Sequence, residues 1–197
     1  LLLSEPRLSA LLCEKNQRLE MQPSAFVIIL NFNGAENTLE CVESVRCSDY
    51  CNFRIVILDN ASSDKSEAIL RSRFPDVHLI ANDQNYGYAE GNNIGIRYAL
   101  SQGADYVFIL NNDTVADQSA LRFLIEAGEK DPNATILAPK VCRYDERAII
   151  DSCGTRMNWF HLRPEIGECG KKDEGQIKSG QQKDVFPLIL FRITQIC

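Results

Sequence analysis

Asn111, Asn112 and Asp113 close an apolar run, Tyr106–Leu110, within the stretch Asp105–Thr114. An apolar run without alternation fits a strand buried on both faces, as in the middle of a parallel sheet. Polar residues that follow such a strand emerge at its carboxyl end, where open α/β sheets collect their ligands. A single carboxylate among carboxamides there has the chemistry to hold a divalent cation, because magnesium-type ions are bound by one or two carboxylates together with substrate phosphates. Asn111 and Asn112 add hydrogen-bonding groups to the same place. The plain alternative is an Asx-rich turn that ends a strand and binds nothing.

Two further polar clusters follow apolar runs in the same way. Asn31-Phe32-Asn33-Gly34 follows Ala25–Leu30, and Asp59-Asn60-Ala61-Ser62-Ser63-Asp64 follows Arg54–Leu58. An Asp held rigidly at a strand end is a natural acceptor for the N3–H of uracil or thymine; equally, Asp59 is placed to start an Asx-turn or cap the next helix. Phe32 offers a ring on which a base can stack, or a core aromatic at the end of a strand. In Asn85–Asn93, Gly87 and Gly91 stand four residues apart ahead of a helical pattern. Glycines there let backbone approach a ligand closely, and a helix N-terminus favours anions. The spacing is not that of a dinucleotide fingerprint, and the chain carries neither a Walker A loop nor a Gly-x-Ser-x-Gly elbow.

The elements that must position these clusters alternate along the chain. The β-branched run Ala25–Leu30 predicts a first buried strand, and Leu39, Val42 and Val45 give Ala35–Arg46 helical spacing. Arg54–Leu58 predicts a second strand, followed by a helix through Ala68, Ile69 and Leu70 with Ser63 or Asp64 as its cap. Val77–Ile80 predicts a short strand, Asn92–Gln102 a helix stopped by Gly103, Ser119–Gly128 another helix, and Ile136–Pro139 a last short strand. Strand–helix alternation with short connections implies an α/β fold, a doubly wound, mainly parallel sheet with helices on both faces. Three polar clusters at one edge of one sheet would form a site.

Composition narrows the class. The 197 residues suit one domain with short appendages: a leader at 1–22, a main domain at 23–185 and a tail at 186–197. A net charge of −6 leaves no basic footprint for nucleic acid. A phosphorylated ligand would therefore have to be held by local devices such as a metal or helix termini. The eight cysteines form no Cys-x-x-Cys pair and, without a secretory signal, read as reduced cytosolic thiols. The leader is too charged for a membrane span and reads as poorly ordered or as a short amphipathic helix.

Together and in this order, these clusters resemble the family 2 glycosyltransferases, in their rhamnosyltransferase-like branch. The matching stretches are Val27–Gly34 (VIILNFNG), Ile55–Ser66 (IVILDNASSDKS), Asn85–Ile96 (NYGYAEGNNIGI) and Gly103–Thr114 (GADYVFILNNDT). Pro139–Lys140 and Cys153–Trp159 continue the match less sharply, so that it covers roughly residues 24–185. The resemblance implies a GT-A fold and transfer of a sugar from a nucleotide-sugar donor, with inversion at the anomeric carbon. By position, Leu30 and Phe32 match the strand end that meets the nucleobase, and Asp59 the acidic residue that reads uracil or thymine, with Asn60 beside it. Gly91 and Asn92 match the block beside the nucleotide. Asn111, Asn112 and Asp113 match the Asp-x-Asp-type motif, with Asp113 as the ligand of Mg2+ or Mn2+. Asn111 departs from the acidic first position of the parent motif.

The family continues past this point with an acceptor-binding segment that carries the catalytic base. Here the similarity fades near Asp184–Val185, and the tail Phe186–Cys197 reads as the end of a truncated or frame-shifted product, with Val185–Phe191 as exposed apolar surface. Asp145, Asp151, Glu165, Asp173 and Glu174 are carboxylates outside the expected context, so the base is unassigned. The implied partners are a UDP- or dTDP-sugar donor and a saccharide or lipid-linked acceptor, with no nucleic acid. The implied location is the cytoplasm, with peripheral contact at the inner face of the membrane. Two other classes stand beside this one: a nucleotide-sugar-binding domain without turnover, and a small α/β interaction module whose clusters are only turns.

Overall fold

The structure is a computed structural model that describes residues 22–153, 155–158, 163–166, 169–175 and 189–192. The leader at 1–21, and Gly154 and Trp159 of the weaker matching block, lie outside the described residues. So do the side chains of 155–158, 163–166 and 189–192, Glu165 among them.

Strands β1 (Ala25–Asn31), β2 (Phe53–Asp59), β3 (His78–Ala81) and β4 (Tyr106–Asn111) form the parallel part of a six-stranded sheet. Helices α1 (Ala35–Arg46), α2 (Ser66–Arg73), α3 (Gly87–Ser101) and α4 (Ala120–Lys130) connect or follow them. The strand β5 (Ile136–Leu137) is followed by two antiparallel ribbons, β6 (Val141–Cys142) with β7 (Ile150–Ser152), and β8 (Thr155–Asn158) with β9 (Arg163–Ile166). The chain returns as β10 (Ile189–Arg192), and the order across the sheet is β3-β2-β1-β4-β10-β5.

Strand pleating sorts the apolar runs onto two faces. From β1, Val27 and Ile29 point into a core with Cys41, Val42 and Val45 of α1, Leu70 of α2 and Leu124 of α4. Phe26 and Ile28 point the other way, into a core with Val56, Leu58, Val107 and Ala99 of α3. A run that does not alternate in sequence is thus amphipathic in neither direction because both faces are covered. The doubly wound architecture expected from the sequence is the one observed, with three helices on one face and α3 on the other.

Helix α3 lies close to the sheet because glycine faces it. A Cβ on Gly95 would stand 2.6 Å from Ile28 Cγ2 and 2.7 Å from Leu58 Cδ1, and one on Gly91 would stand 2.8 Å from Leu30 Cδ1. At its far end the helix closes in a Schellman motif: Gly103, at φ +75°, donates its N–H to Leu100 O and Ala104 donates to Ala99 O, both at 3.1 Å.

Two expectations need correction. Helix α3 begins at Gly87, not Asn92, so Gly91 and Asn92 sit inside it; Gly91, which read as loop, is instead tolerated because it relieves contact with Leu30 of β1. Helix α2 is capped by neither Ser63 nor Asp64. Lys65, left-handed at φ 68°, occupies that position, and Asp64 accepts from Ser66 N and Oγ one step further out. Of the tail, Ile189–Arg192 joins the sheet and its backbone pairs antiparallel with β4 on one side and β5 on the other; the exposure expected of Val185–Phe191 lies outside the described residues. Lying between two strands, it pairs its backbone groups on both sides. Among the described residues no helix is long and apolar enough to cross a membrane.

The contact of α3 with the sheet carries a stability prediction. Gly95→Ala should gain about 1 kcal/mol of helix propensity yet lose about 1–3 kcal/mol to overpacking against Ile28 and Leu58. A lowered urea midpoint with unchanged slope is expected; a raised midpoint would mean that α3 can lift from the sheet freely.

Candidate nucleotide-sugar site

The carboxyl ends of β2, β1 and β4 are adjacent: Asn31 pairs with Asp59, and Leu30 with Asn111. Asn31, the last residue of β1, is fully buried and sits at the centre of a polar network that joins all three. Its Nδ2 donates to Asp59 Oδ1 at 2.6 Å and to Ser62 Oγ at 3.0 Å. Its Oδ1 accepts from Thr38 Oγ1 at 2.8 Å, and Thr38 in turn accepts from Asn112 Nδ2 at 3.1 Å. Ser62 donates its hydroxyl to Asp59 Oδ1 at 2.7 Å and its N–H to Oδ2 at 2.9 Å.

Asp59 is therefore engaged at both oxygens and only 2% exposed. The contact with the Ser62 N–H, three residues on, is a local side-chain-to-backbone turn contact of the kind that its position in the sequence also allowed. Asn60, equally buried, ties down the chain ahead of α3. Its Nδ2 donates to Asn85 Oδ1 at 2.7 Å, while its Oδ1 accepts from Asn82 Nδ2 at 3.0 Å and from the Tyr86 N–H at 3.2 Å. Asn85 Oδ1 also accepts from the Gly87 N–H at 2.8 Å, satisfying one of the first donors of α3.

The open surface above this network is lined by other groups. Phe32 is 48% exposed, which removes the core-aromatic reading and leaves its ring free for stacking. Leu30 packs against Gly91, whose missing side chain serves helix–sheet contact instead of approach to a ligand. Gly34 is needed for room: a Cβ there would stand 3.0 Å from Asn112 Nδ2. Asn92 is 3% exposed; its Nδ2 donates to Tyr88 O at 2.9 Å, while its buried Oδ1 has no donor among the described residues. A buried amide oxygen left in that state costs about 1–3 kcal/mol, which a bound N–H, hydroxyl or water would recover.

Asp113 is exposed and accepts no hydrogen bond among the described residues. Tyr88, from the first turn of α3, reaches the same strand end and donates its hydroxyl to Asn111 Oδ1 at 2.8 Å. Partial burial, and then the charge of Asp113, push the Tyr88 phenol above its ordinary range, so it stays a donor. Below the loop, the buried Cys41 thiol contacts Asn111 O at 3.5 Å and is pushed up to about 12 by burial and by Asp113. It is a packed hydrophobe, not a nucleophile. Among the described residues no group of three or more His, Cys, Asp or Glu side chains converges on a metal position. A cation here would rely on Asp113 and on ligand oxygens, a set that suits a hard ion retaining water.

A family model described as glycosyl transferase family 2 matches residues 26–178. The chain belongs to that family. Relatives include the low-salt glycan biosynthesis hexosyltransferase Agl10 of Haloferax volcanii, 32% identical over 116 residues, which are 58% of this chain and 36% of the relative. The dTDP-rhamnosyl transferase RfbF of Shigella flexneri is 24% identical over 176 residues, 86% of this chain and 57% of the relative. The chain thus spans 36% and 57% of the length of these two relatives. Among solved structures, the mannosyltransferase PcManGT from Pyrobaculum calidifontis, in complex with GDP-Man and Mn2+, superposes with a TM-score of 0.56 at 20% identity. That superposition covers 93% of this chain and 51% of that one, and it shows the same α/β fold.

For this glycosyl transferase family 2 chain, the structure brings Asp59, Asn60, Asn111, Asn112 and Asp113 to one sheet edge with Phe32, and places Gly91 and Asn92 on the helix beside it. It adds Thr38, which the sequence reading left out, and gives roles to Asn31, Ser62 and Tyr88, which stood in the polar clusters without one. The available signal for Asn31 is an amide that directly continues an apolar strand, where burial forces it to find partners. Of the spare carboxylates, Asp173 is ion-paired with Lys140, and no catalytic base is assigned.

Asp59→Ala should cost about 2–3 kcal/mol, because it strands the Asn31 amide and the Ser62 N–H in a buried position. Asp59→Asn should weaken all nucleotides alike in calorimetry; a loss confined to uridine and thymidine nucleotides would instead make Asp59 a direct reader of the base.

Proposed function

We propose that this chain forms the nucleotide-sugar-binding unit of an inverting, metal-assisted glycosyltransferase. Its donor is a UDP- or dTDP-sugar, with rhamnose as the sugar favoured by the branch it resembles, and its acceptor is a saccharide or lipid-linked saccharide. A lipid-linked acceptor would place the work at the cytoplasmic face of a membrane. The observation that carries the reading is the convergence of three polar strand ends on one exposed carboxylate, Asp113, in a chain of glycosyl transferase family 2. RfbF, named for dTDP-rhamnosyl transfer, supports the donor class, and the Mn2+ in the PcManGT complex supports the metal.

The residues divide the task by exposure. Phe32 presents a ring face to the base, and the buried Asn92 Oδ1 accepts from the nucleoside. Asn111 and Asn112 stand at the diphosphate, Asn112 held from behind by Thr38. Asp113, with no partner of its own among the described residues, would hold Mg2+ or Mn2+. Such a cation neutralises charge that develops on the leaving nucleoside diphosphate. Asp59 and Asn60 keep the three strand ends in register from below, so the polar atoms above them are set before the donor arrives.

Calorimetry with UDP- and dTDP-sugars, with and without Mn2+, tests the reading. The unaltered chain should bind in a metal-dependent manner, and Asp113→Ala should lose the metal-dependent part by at least tenfold while keeping its circular dichroism spectrum. Unchanged metal dependence in that variant would remove Asp113 from the role assigned to it.

A further inference from the structure

The Tyr88 hydroxyl contributes nothing to the core, since its ring is 56% exposed, yet it is spent on a single contact with Asn111. Gly87, at φ +75° with no atom within 4 Å of a hypothetical Cβ, is glycine for its backbone alone. That turn starts α3 so that the next residue, Tyr88, reaches across to the end of β4. The contact engages the amide oxygen of Asn111 and leaves its Nδ2 without a partner among the described residues. A primary amide can present either end to a ligand: its oxygen is a metal ligand or acceptor, its NH2 a donor to phosphate or sugar oxygens. A hydroxyl that donates on one side favours the amide with its NH2 on the other.

We propose that Tyr88 is a positioning residue that locks the Asn111 amide with its NH2 toward the ligand, making Asn111 a donor to the diphosphate and leaving Asp113 as the protein's own metal-binding oxygen donor at this strand end. The inference rests on the nucleotide-sugar reading of the site and assigns the division of labour within it. With a carboxylate at position 111, two acidic residues would compete for the cation. With an amide free to rotate, its carbonyl would enter the metal shell and its N–H groups would be lost to the phosphate. The tyrosine O–H donates to Oδ1 as the amide stands, and in the second arrangement it would lose that donation and could only accept from Nδ2, so it disfavours the second arrangement in the way that outer partners orient the ligands of metal sites.

The test is a double-mutant cycle on the full chain, read by calorimetry with UDP and Mn2+ and, separately, with uridine alone. Tyr88→Phe removes the hydroxyl and keeps the ring. It should weaken UDP–Mn2+ about tenfold and leave uridine affinity unchanged, because the nucleoside does not reach Asn111. In the Asn111→Asp background, whose two oxygens are equivalent, Tyr88→Phe should change UDP–Mn2+ affinity by less than about twofold, a non-additivity expected only of coupled residues. Equal losses in both backgrounds, or a parallel loss of uridine, would make Tyr88 merely structural and overturn the proposal. So would UDP–Mn2+ binding to Tyr88→Phe at full strength. If the unaltered chain binds neither uridine nor UDP–Mn2+, the reading of the site falls and this inference with it, a result distinct from one confined to the variant.

Discussion

The buried amide of Asn31 is the interaction on which the candidate site depends. It is an uncharged group at the end of a strand, yet it gives both its donors to the β2 side and its acceptor to the β4 side through Thr38. In a low-dielectric position each of these bonds is strong, and each unmade bond would be costly. Three loops that could otherwise vary independently are therefore fixed relative to one another by side chains bonded to each other. Asn60 extends the same device toward the start of α3, so that the fourth polar segment is tied to the first three.

The two faces of the sheet support this edge differently. On one, α1, α2 and α4 bury long side chains against Val27, Ile29, Ile57 and Phe108. On the other, α3 alone covers the sheet, and glycine at positions 91 and 95 brings its axis close. The close approach sets the first turn of α3 beside the ends of β1 and β4, within reach of Asn111 through Tyr88. Packing on a face far from any ligand thus determines which side chains reach the cleft.

Electrostatics at the site follow from the same economy. The chain carries a net charge of −6, so on the proposed reading a diphosphate would be met by local groups and not by a basic surface. Of the acidic groups at the sheet edge, Asp59 is enclosed by donors, whereas Asp113 is left in solvent. A carboxylate already surrounded by hydrogen bonds has little left for a cation; an exposed one keeps its full capacity. Amides supply the remaining polar surface and add no repulsion toward phosphate.

Much of the fold was legible in the chain itself, because strong apolar patterns leave little choice. The helix expected over Ala35–Arg46 is observed with those bounds, and the strands beginning at Ala25 and Tyr106 extend only one residue beyond their apolar runs. The placement of polar clusters after strands followed from the same patterns, as did Phe32 and Asp113 as candidates. What the chain could not disclose was pairing. Glycines 87 and 91 read locally as loop; contact with Leu30 shows why the helix has glycine at 91, and a left-handed backbone why it starts on glycine at 87. Asp59 is equally suited by type to a base or to a local turn, and that both its oxygens are already engaged is seen only once Asn31 arrives from β1 to join the nearby Ser62. Local sequence determines what a segment prefers to be. Tertiary structure decides which polar groups are used up internally, because that depends on neighbours brought together from 28 or 74 residues away, as Asn31–Asp59 and Thr38–Asn112 are.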